Sequence, residues 1–148
     1  MNTPFIHRNL PRLLLQARES VMAHFRPNLR EHGLTDQQWR VLRVLGEHGK
    51  HGEKEGQVDT GRIAREAYLL GPSLTGVLSR MERDGLIRRE RDLADQRRTV
   101  VFATVKGRKM VSKLSESIEA HYALMELALG KKKLAELYEL LDQIIELP

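Results

Sequence analysis

The residues whose types and spacing could do chemistry lie in one short stretch, from Gly71-Pro72-Ser73 to Arg83. A helix read through it puts Leu74, Val77, Leu78 and Met81 on one face, leaving Ser73, Thr75, Gly76, Ser79, Arg80 and Arg83 on the other. Small and basic residues on an open helix face let a backbone lie close to a polyanion. Hydroxyls bond phosphates or base edges, and an Arg fork grips a guanine or a phosphate. An ordinary solvated helix face is the plain alternative. A second basic group, Arg97 and Arg98, ends the polar turn that begins at Arg91. Two such guanidinia suit a minor groove, whose narrow A·T tracts concentrate negative potential. The plain alternative is a solvated turn with an exposed ion pair of little weight. Arg62 and Arg65 are candidate phosphate contacts, whereas Arg88, Arg89 and Arg91 read as solvated strand residues or nonspecific phosphate contacts.

Other chemistries find little support. The chain has no Cys, which removes disulfides, thiolate metal sites, Cys nucleophiles and thiol redox sensing together. Its six His include His48 and His51, near Glu53 and Glu55, but the stretch is Gly-rich and offers no helical pair with a fixed third ligand. No metal site is expected there. Paired carboxylates, a Ser nucleophile with its base and a phosphate-cradling Gly loop are not recognisable, so neither an enzyme nor a cofactor is expected.

The charge distribution sharpens the polyanion reading. Across 148 residues, 25 Lys and Arg face 20 Asp and Glu, a net charge of +5. Residues 1–57 carry 9 basic and 6 acidic groups, 58–109 carry 12 and 7, and 110–148 carry 4 and 7. The positive excess therefore peaks around the two basic groups, while the C-terminal third repels polyanions. With 41% apolar residues, a chain of this length is expected to fold as one domain, 1–148. It shows no run of about 18 apolar residues and no export signal, so no membrane association and a cytoplasmic location are expected.

The surrounding pattern supplies elements to position these groups. Leu10, Leu13, Leu14, Ala17, Val21, Phe25 and Leu29 step by threes and fours as one helix, with Pro27 kinking or loosening its end and Gly33 stopping it. Thr35 with Gln38 predicts a capped short helix carrying Trp39, Leu42 and Leu45, and residues 46–57 read as a loop. Asp59 or Thr60 caps a third helix with Ile63, Ala64 and Ala67; Gly71-Pro72 starts the fourth, and Asp84-Gly85 ends it. Residues 86–90 and 99–105 read as β-strands around the polar turn. Beyond Gly107, Val111, Leu114, Ile118, Tyr122, Met125 and Leu129 mark a long helix; Gly130 breaks it, and Leu134 to Ile145 mark the last. Consecutive short helices followed by a basic hairpin form a winged helix-turn-helix, a mainly α (α+β) fold. The long terminal helices need an apolar partner. A twofold homodimer provides one, and its paired recognition helices call for an inverted-repeat operator in double-stranded DNA.

The run Leu69 to Ile87, the turn Asp92 to Arg98, and Ala103-Thr104 followed by Gly107 resemble the MarR family of bacterial repressors. The resemblance extends from about Asn9 to Leu147, and is narrower towards the branch that regulates 4-hydroxyphenylacetate and homoprotocatechuate degradation. It implies a DNA-binding lobe over 58–106, with dimerisation helices over 1–32 and 107–148. It also implies repression of an aromatic-catabolism operon, relieved by an aromatic acid such as 4-hydroxyphenylacetate or 3,4-dihydroxyphenylacetate. In the family an Asp near the wing turn braces an Arg, and Asp95 and Arg97 are the matching positions. An effector cleft needs a cation for the carboxylate, a polar group for the phenol and an apolar or aromatic wall. His7, Arg18, His24, Trp39 and Arg40 are the candidates; surface salt bridges for the arginines and a core role for Trp39 are the alternatives. Two positions depart from the family pattern: a longer loop over 49–57, and Ala103 where Leu is common. A basic helical adaptor module is the competing function.

Overall fold

The computed structural model describes residues 3–49 and 57–148, in two compact units, Met1–Leu114 and Ser115–Pro148. Helix α1 (Leu10–Glu31) is opened by Asn9, whose Oδ1 accepts the Arg12 N–H, with Pro11 in the first turn where its missing donor costs nothing. Pro27 lies within it, and the helix continues to Glu31. Gly33, at φ +70°, closes the end: its N–H reaches the Arg30 carbonyl and the Leu34 N–H the Leu29 carbonyl.

Helix α2 (Asp36–Gly49) begins with a reciprocal cap, Gln38 N–H to Thr35 Oγ1 and Thr35 N–H to Gln38 Oε1, both 3.1 Å. Contrary to the expected loop from residue 46, α2 runs on through Gly46 to Gly49. Burial of Trp39, Val41, Leu42, Val44, Leu45 and His48 explains the extension, because packing on several sides outweighs the propensity cost of Gly46. The longer loop and the His51, Glu53 and Glu55 group fall largely on residues 50–56, outside those described. His48 itself lies 2.7 Å from Glu66.

Helix α2 is the hub of the first unit and packs against α1, α3 (Thr60–Glu66), α4 (Gly71–Arg83) and the sheet. The sheet has three antiparallel strands in the order β1 (Val58–Asp59), β3 (Thr99–Ala103), β2 (Ile87–Arg91). Strand β1 is absent from the sequence reading, since two residues are too short to alternate. It pairs Val58 with Val101 and Asp59 with Val100. Strands β2 and β3 run from the Ile87–Ala103 pair at the base to the Arg91–Thr99 pair beside the tip. Helix α4 turns Leu74, Val77, Leu78 and Met81 inward, and Gly85 at φ +76° ends it.

Strand β3 stops two residues before the expected end, because Thr104 caps the next helix. Its hydroxyl accepts the Gly107 N–H at 3.1 Å and donates to the Gly85 carbonyl at 2.6 Å. Helix α5 (Val105–Leu129) thus starts before Gly107, and Gly107 lies in its first turn against the Leu86 carbonyl. In the second unit, α5 continues to Leu129, Gly130 at φ +93° breaks it, and α6 (Lys131–Ile145) follows. Ile118 and Leu134 are buried there, while Leu124, Leu127, Leu140 and Ile145 are more than half exposed. The first unit leaves Phe5, Ile6 and Leu15 similarly bare, and Leu10 nearly so. So much uncovered apolar surface on helices is the mark of an association face.

Two glycines separate packing from propensity. A Cβ at Gly107 would run into the Leu86 carbonyl oxygen, whereas among the described residues one at Gly46 would meet nothing within 4 Å. Gly107→Ala should lower stability by about 1–3 kcal/mol through overpacking against backbone, and Gly46→Ala should raise it by about 0.5–1 kcal/mol. Urea unfolding midpoints measure both.

Candidate nucleic-acid interface

Helix α4 carries the proposed groove-facing residues on its outer face. Ser73, Thr75, Arg80 and Arg83 are exposed, and Gly76 lies among them. Thr75 Oγ1 donates to the Gly71 carbonyl at 3.0 Å, which fixes its hydroxyl but leaves the oxygen able to accept. The Arg80 guanidinium folds back over Gly76, where a Cβ would stand 3.6 Å from its Nη1. Arg83 pairs with its neighbour Asp84 at 3.3 Å. Leu70 gives no side-chain cap, so the first N–H groups of α4 remain open towards an anion.

The wing is organised from within the lobe. Asp95 Oδ1 accepts the main-chain N–H of Arg97, and the Asp95 carbonyl accepts that of Arg98. The resemblance implied that Asp95 braces Arg97, and the contact between them here is to the Arg97 main chain. The guanidinium of Arg98 is also held, donating to Asp59 Oδ2 at 3.0 Å and lying 3.8 Å from Asp92. Asp59 was legible only as a helix cap. Its other oxygen does cap α3, accepting the Arg62 N–H at 3.0 Å. Burial alone raises the Asp59 carboxyl, but the Arg62 N–H and the Arg98 guanidinium, with Arg65 nearby, bring it below its ordinary value.

Most other cations of the lobe are already engaged. Arg62 lies 3.4 Å from Glu66, and Arg89 donates to Glu82 at 3.1 Å, which holds the Glu82 carboxyl below its usual range. Arg91 donates to the Gln96 carbonyl, Lys106 to that of Asp84 and Arg108 to that of Ala103. Arg88 stands over the Phe102 ring at 5.8 Å, within cation–π range. Among the described residues, the guanidinia of Arg65, Arg80 and Arg97 have no protein acceptor. They lie on α3, on α4 and at the wing tip, three different elements of one lobe.

The effector candidates are distributed differently. His7 lies before α1 beside an open cavity of about 720 Å³ lined also by Phe5, Ile6 and Asn9. His24 is exposed on α1, and Trp39 is buried at 7% exposure. Arg18 donates to Asp36 Oδ2 at 2.8 Å, joining α1 to α2. Arg40 donates to the Ala67 carbonyl at 2.8 Å and that of Tyr68 at 3.4 Å, and its Nε lies 3.8 Å from Asp36 Oδ1. The structure therefore links Arg18 and Arg40 through Asp36. That carboxylate was not singled out in the sequence, although its position four residues before Arg40 was a legible hint.

Comparison with known proteins agrees with this architecture. The profile of the MarR family matches residues 32–98. The chain is 39% identical over 142 residues to the homoprotocatechuate degradative operon repressor of Escherichia coli, covering 96% of this chain and 91% of that protein. It is 37% identical over 147 residues to the HTH-type transcriptional regulator FarR of Neisseria gonorrhoeae, covering 99% and 96%. Among solved structures, NadR in complex with 4-hydroxyphenylacetate superposes with a TM-score of 0.87 at 36% identity, covering all of both chains. These relatives are regulators rather than enzymes. Among the described residues, no helix is long and apolar enough to cross a membrane.

Two substitutions dissect Asp59. Asp59→Asn keeps a cap and loses the ion pair, which should cost about 0.2–1 kcal/mol; Asp59→Ala loses both, at about 1–2 kcal/mol. Because the folded carboxyl is held below its unfolded value of about 4, its charge contributes fully above that pH and is lost as pH falls through the lowered value. Unfolding midpoints across the acid range should show the gap between wild type and Asp59→Asn closing on acidification.

Proposed function

The chain belongs to the MarR family, and from that premise we propose that it is a homodimeric transcriptional repressor of an aromatic-catabolism operon, released from its operator by a phenolic acid. Bound to DNA, the protein acts in the cytoplasm. The observation that carries the DNA-binding reading is the set of unpaired guanidinia on α4 and the wing tip of a lobe whose other cations are largely consumed internally. Arg80, with Ser73, Thr75, Gly76 and Arg83, meets the major groove, and Arg97 reaches the adjacent minor groove. Arg98 acts from behind, through Asp59, with its exposed edge able to meet phosphate. Bare apolar residues on α1 in the first unit, and on α5 and α6 in the second, are each available to a partner chain, and a twofold dimer sets an inverted-repeat operator.

The effector reading rests on the near-full-length similarity to a homoprotocatechuate operon repressor and to a regulator solved with 4-hydroxyphenylacetate. Arg18 is the proposed cation for the ligand's carboxylate, with His7, His24 and Trp39 as the polar and aromatic groups around it. Arg40, already committed to main-chain carbonyls, stands behind them. Either 4-hydroxyphenylacetate or 3,4-dihydroxyphenylacetate satisfies that chemistry. The ligand acts by binding the DNA-incompetent dimer more tightly than the DNA-bound one.

Fluorescence anisotropy with operator duplex, titrated with a panel of phenolic acids, tests the effector part; operator affinity unchanged across the panel contradicts it. Arg80→Ala should lower discrimination at one base pair by about 1–3 kcal/mol. Arg97→Ala should weaken binding to all sequences and reduce the slope of log affinity against log salt by about 1 per dimer-bound phosphate lost.

A further inference from the structure

Three polar contacts run in series from α1 to the turn between α3 and α4. Arg18 Nη2 donates to Asp36 Oδ2 at 2.8 Å, and Asp36 Oδ1 faces Arg40 Nε at 3.8 Å. Arg40 Nη1 then donates to the Ala67 carbonyl at 2.8 Å and lies 3.4 Å from that of Tyr68. The middle contact is incomplete. Asp36 Oδ1 and Arg40 Nε are both buried without a hydrogen-bond partner, although they carry opposite charge and lie less than an ångström beyond bonding distance. Unpaired buried polar atoms are costly, so a small movement that brought these two together would be favoured unless something opposed it. The competing hold is visible on each side: Arg18 keeps the carboxylate, and the turn carbonyls keep the guanidinium.

The far end of the series is a sensitive one. Ala67 and Tyr68 terminate α3, where carbonyls lack helical partners. Tyr68 is at φ +54°, the only non-glycine residue in the left-handed region among those described. A bulky residue held in that region needs its surroundings to keep it there, and Arg40 Nη1, shared between the Ala67 and Tyr68 carbonyls, is one such restraint. Three residues later the chain enters α4, so the geometry of this turn sets the direction of the recognition helix.

We propose that Arg40 is a positioning residue that transmits effector binding to the recognition helix: an aromatic carboxylate that takes Arg18 frees Asp36 to close on Arg40, which loosens its grip on the α3–α4 turn. This rests on the effector reading above and deepens it by naming the path of the signal. The ligand need not touch the DNA-binding lobe. Its preference for the state in which Arg18 is released supplies the whole coupling.

Amide hydrogen exchange on the full-length protein tests the path without ligand or operator. The Ala67 and Leu69 amides are bonded to the Ile63 and Ala64 carbonyls and report the turn directly. Arg18→Gln should speed their exchange by about fivefold or more, and Arg40→Gln at least as much. The double variant should exchange no faster than Arg40→Gln alone, because the two residues act in series. Arg40→Lys, which keeps a charged donor, should restore part of the protection and decides the matter if Arg40→Gln does not fold. In Arg40→Gln, 4-hydroxyphenylacetate binding by calorimetry should remain within about threefold of wild type while its effect on operator affinity falls about tenfold. Exchange unchanged by Arg18→Gln, or effects of the two variants that multiply, would overturn the proposal, as would loss of ligand binding in Arg40→Gln. A wild-type protein that answers to no phenolic acid overturns the effector reading alone, since the exchange result still decides whether the series exists.

Discussion

Asp59 ties the helix-turn-helix to the wing, and the proposed DNA-binding surface depends on that tie. One oxygen closes the start of α3, the other holds Arg98 across 39 residues of sequence, and the residue itself pairs in β1 with Val100 of β3. A hairpin projecting from a small lobe would otherwise sample many orientations, each an entropic cost on binding. Fixing its root relative to α3 and α4 narrows the orientations open to the hairpin, which is what the proposed Arg80 and Arg97 contacts with DNA require. The ion pair is partly exposed and contributes little to global stability. Its value lies in pre-organisation.

The charge pattern follows the same logic of selective pairing. A net charge of +5 is modest, and most cations of the basic middle segment are consumed by Glu66, Glu82, Asp84, Glu90, Asp59, Asp92 or backbone carbonyls. What distinguishes the candidate interface is therefore the cations left without an internal acceptor, rather than the total. Desolvating an already paired Arg means breaking a bond, whereas a free guanidinium offers its whole fork to phosphate or base.

Local chemistry made most of the fold legible. The Thr35–Gln38 cap, the glycines at 33, 85 and 130, and Pro72 each act within a few residues, and each stands at an observed helix boundary. The misses are non-local or too short to carry a period. Strand β1 has two residues and exists because β3 offers it an edge. The extension of α2 past Gly46 depends on neighbours that bury it. The reason for Gly107 is the approach of the Leu86 carbonyl, which no spacing reveals. At the candidate site the exposed residues of α4 were readable from helical periodicity. The pairing of Arg98 with Asp59, and the link from Arg18 through Asp36 to Arg40, depend on partners brought together only by folding.

The central claim is that this lobe reads a specific duplex. The most direct test compares the full-length protein's affinity for the inverted repeat upstream of its operon with that for a scrambled duplex of equal length, at one physiological salt concentration. The account predicts a preference of about a thousandfold or more for the operator. Equal affinities for the two duplexes, both falling together with added salt, would contradict it.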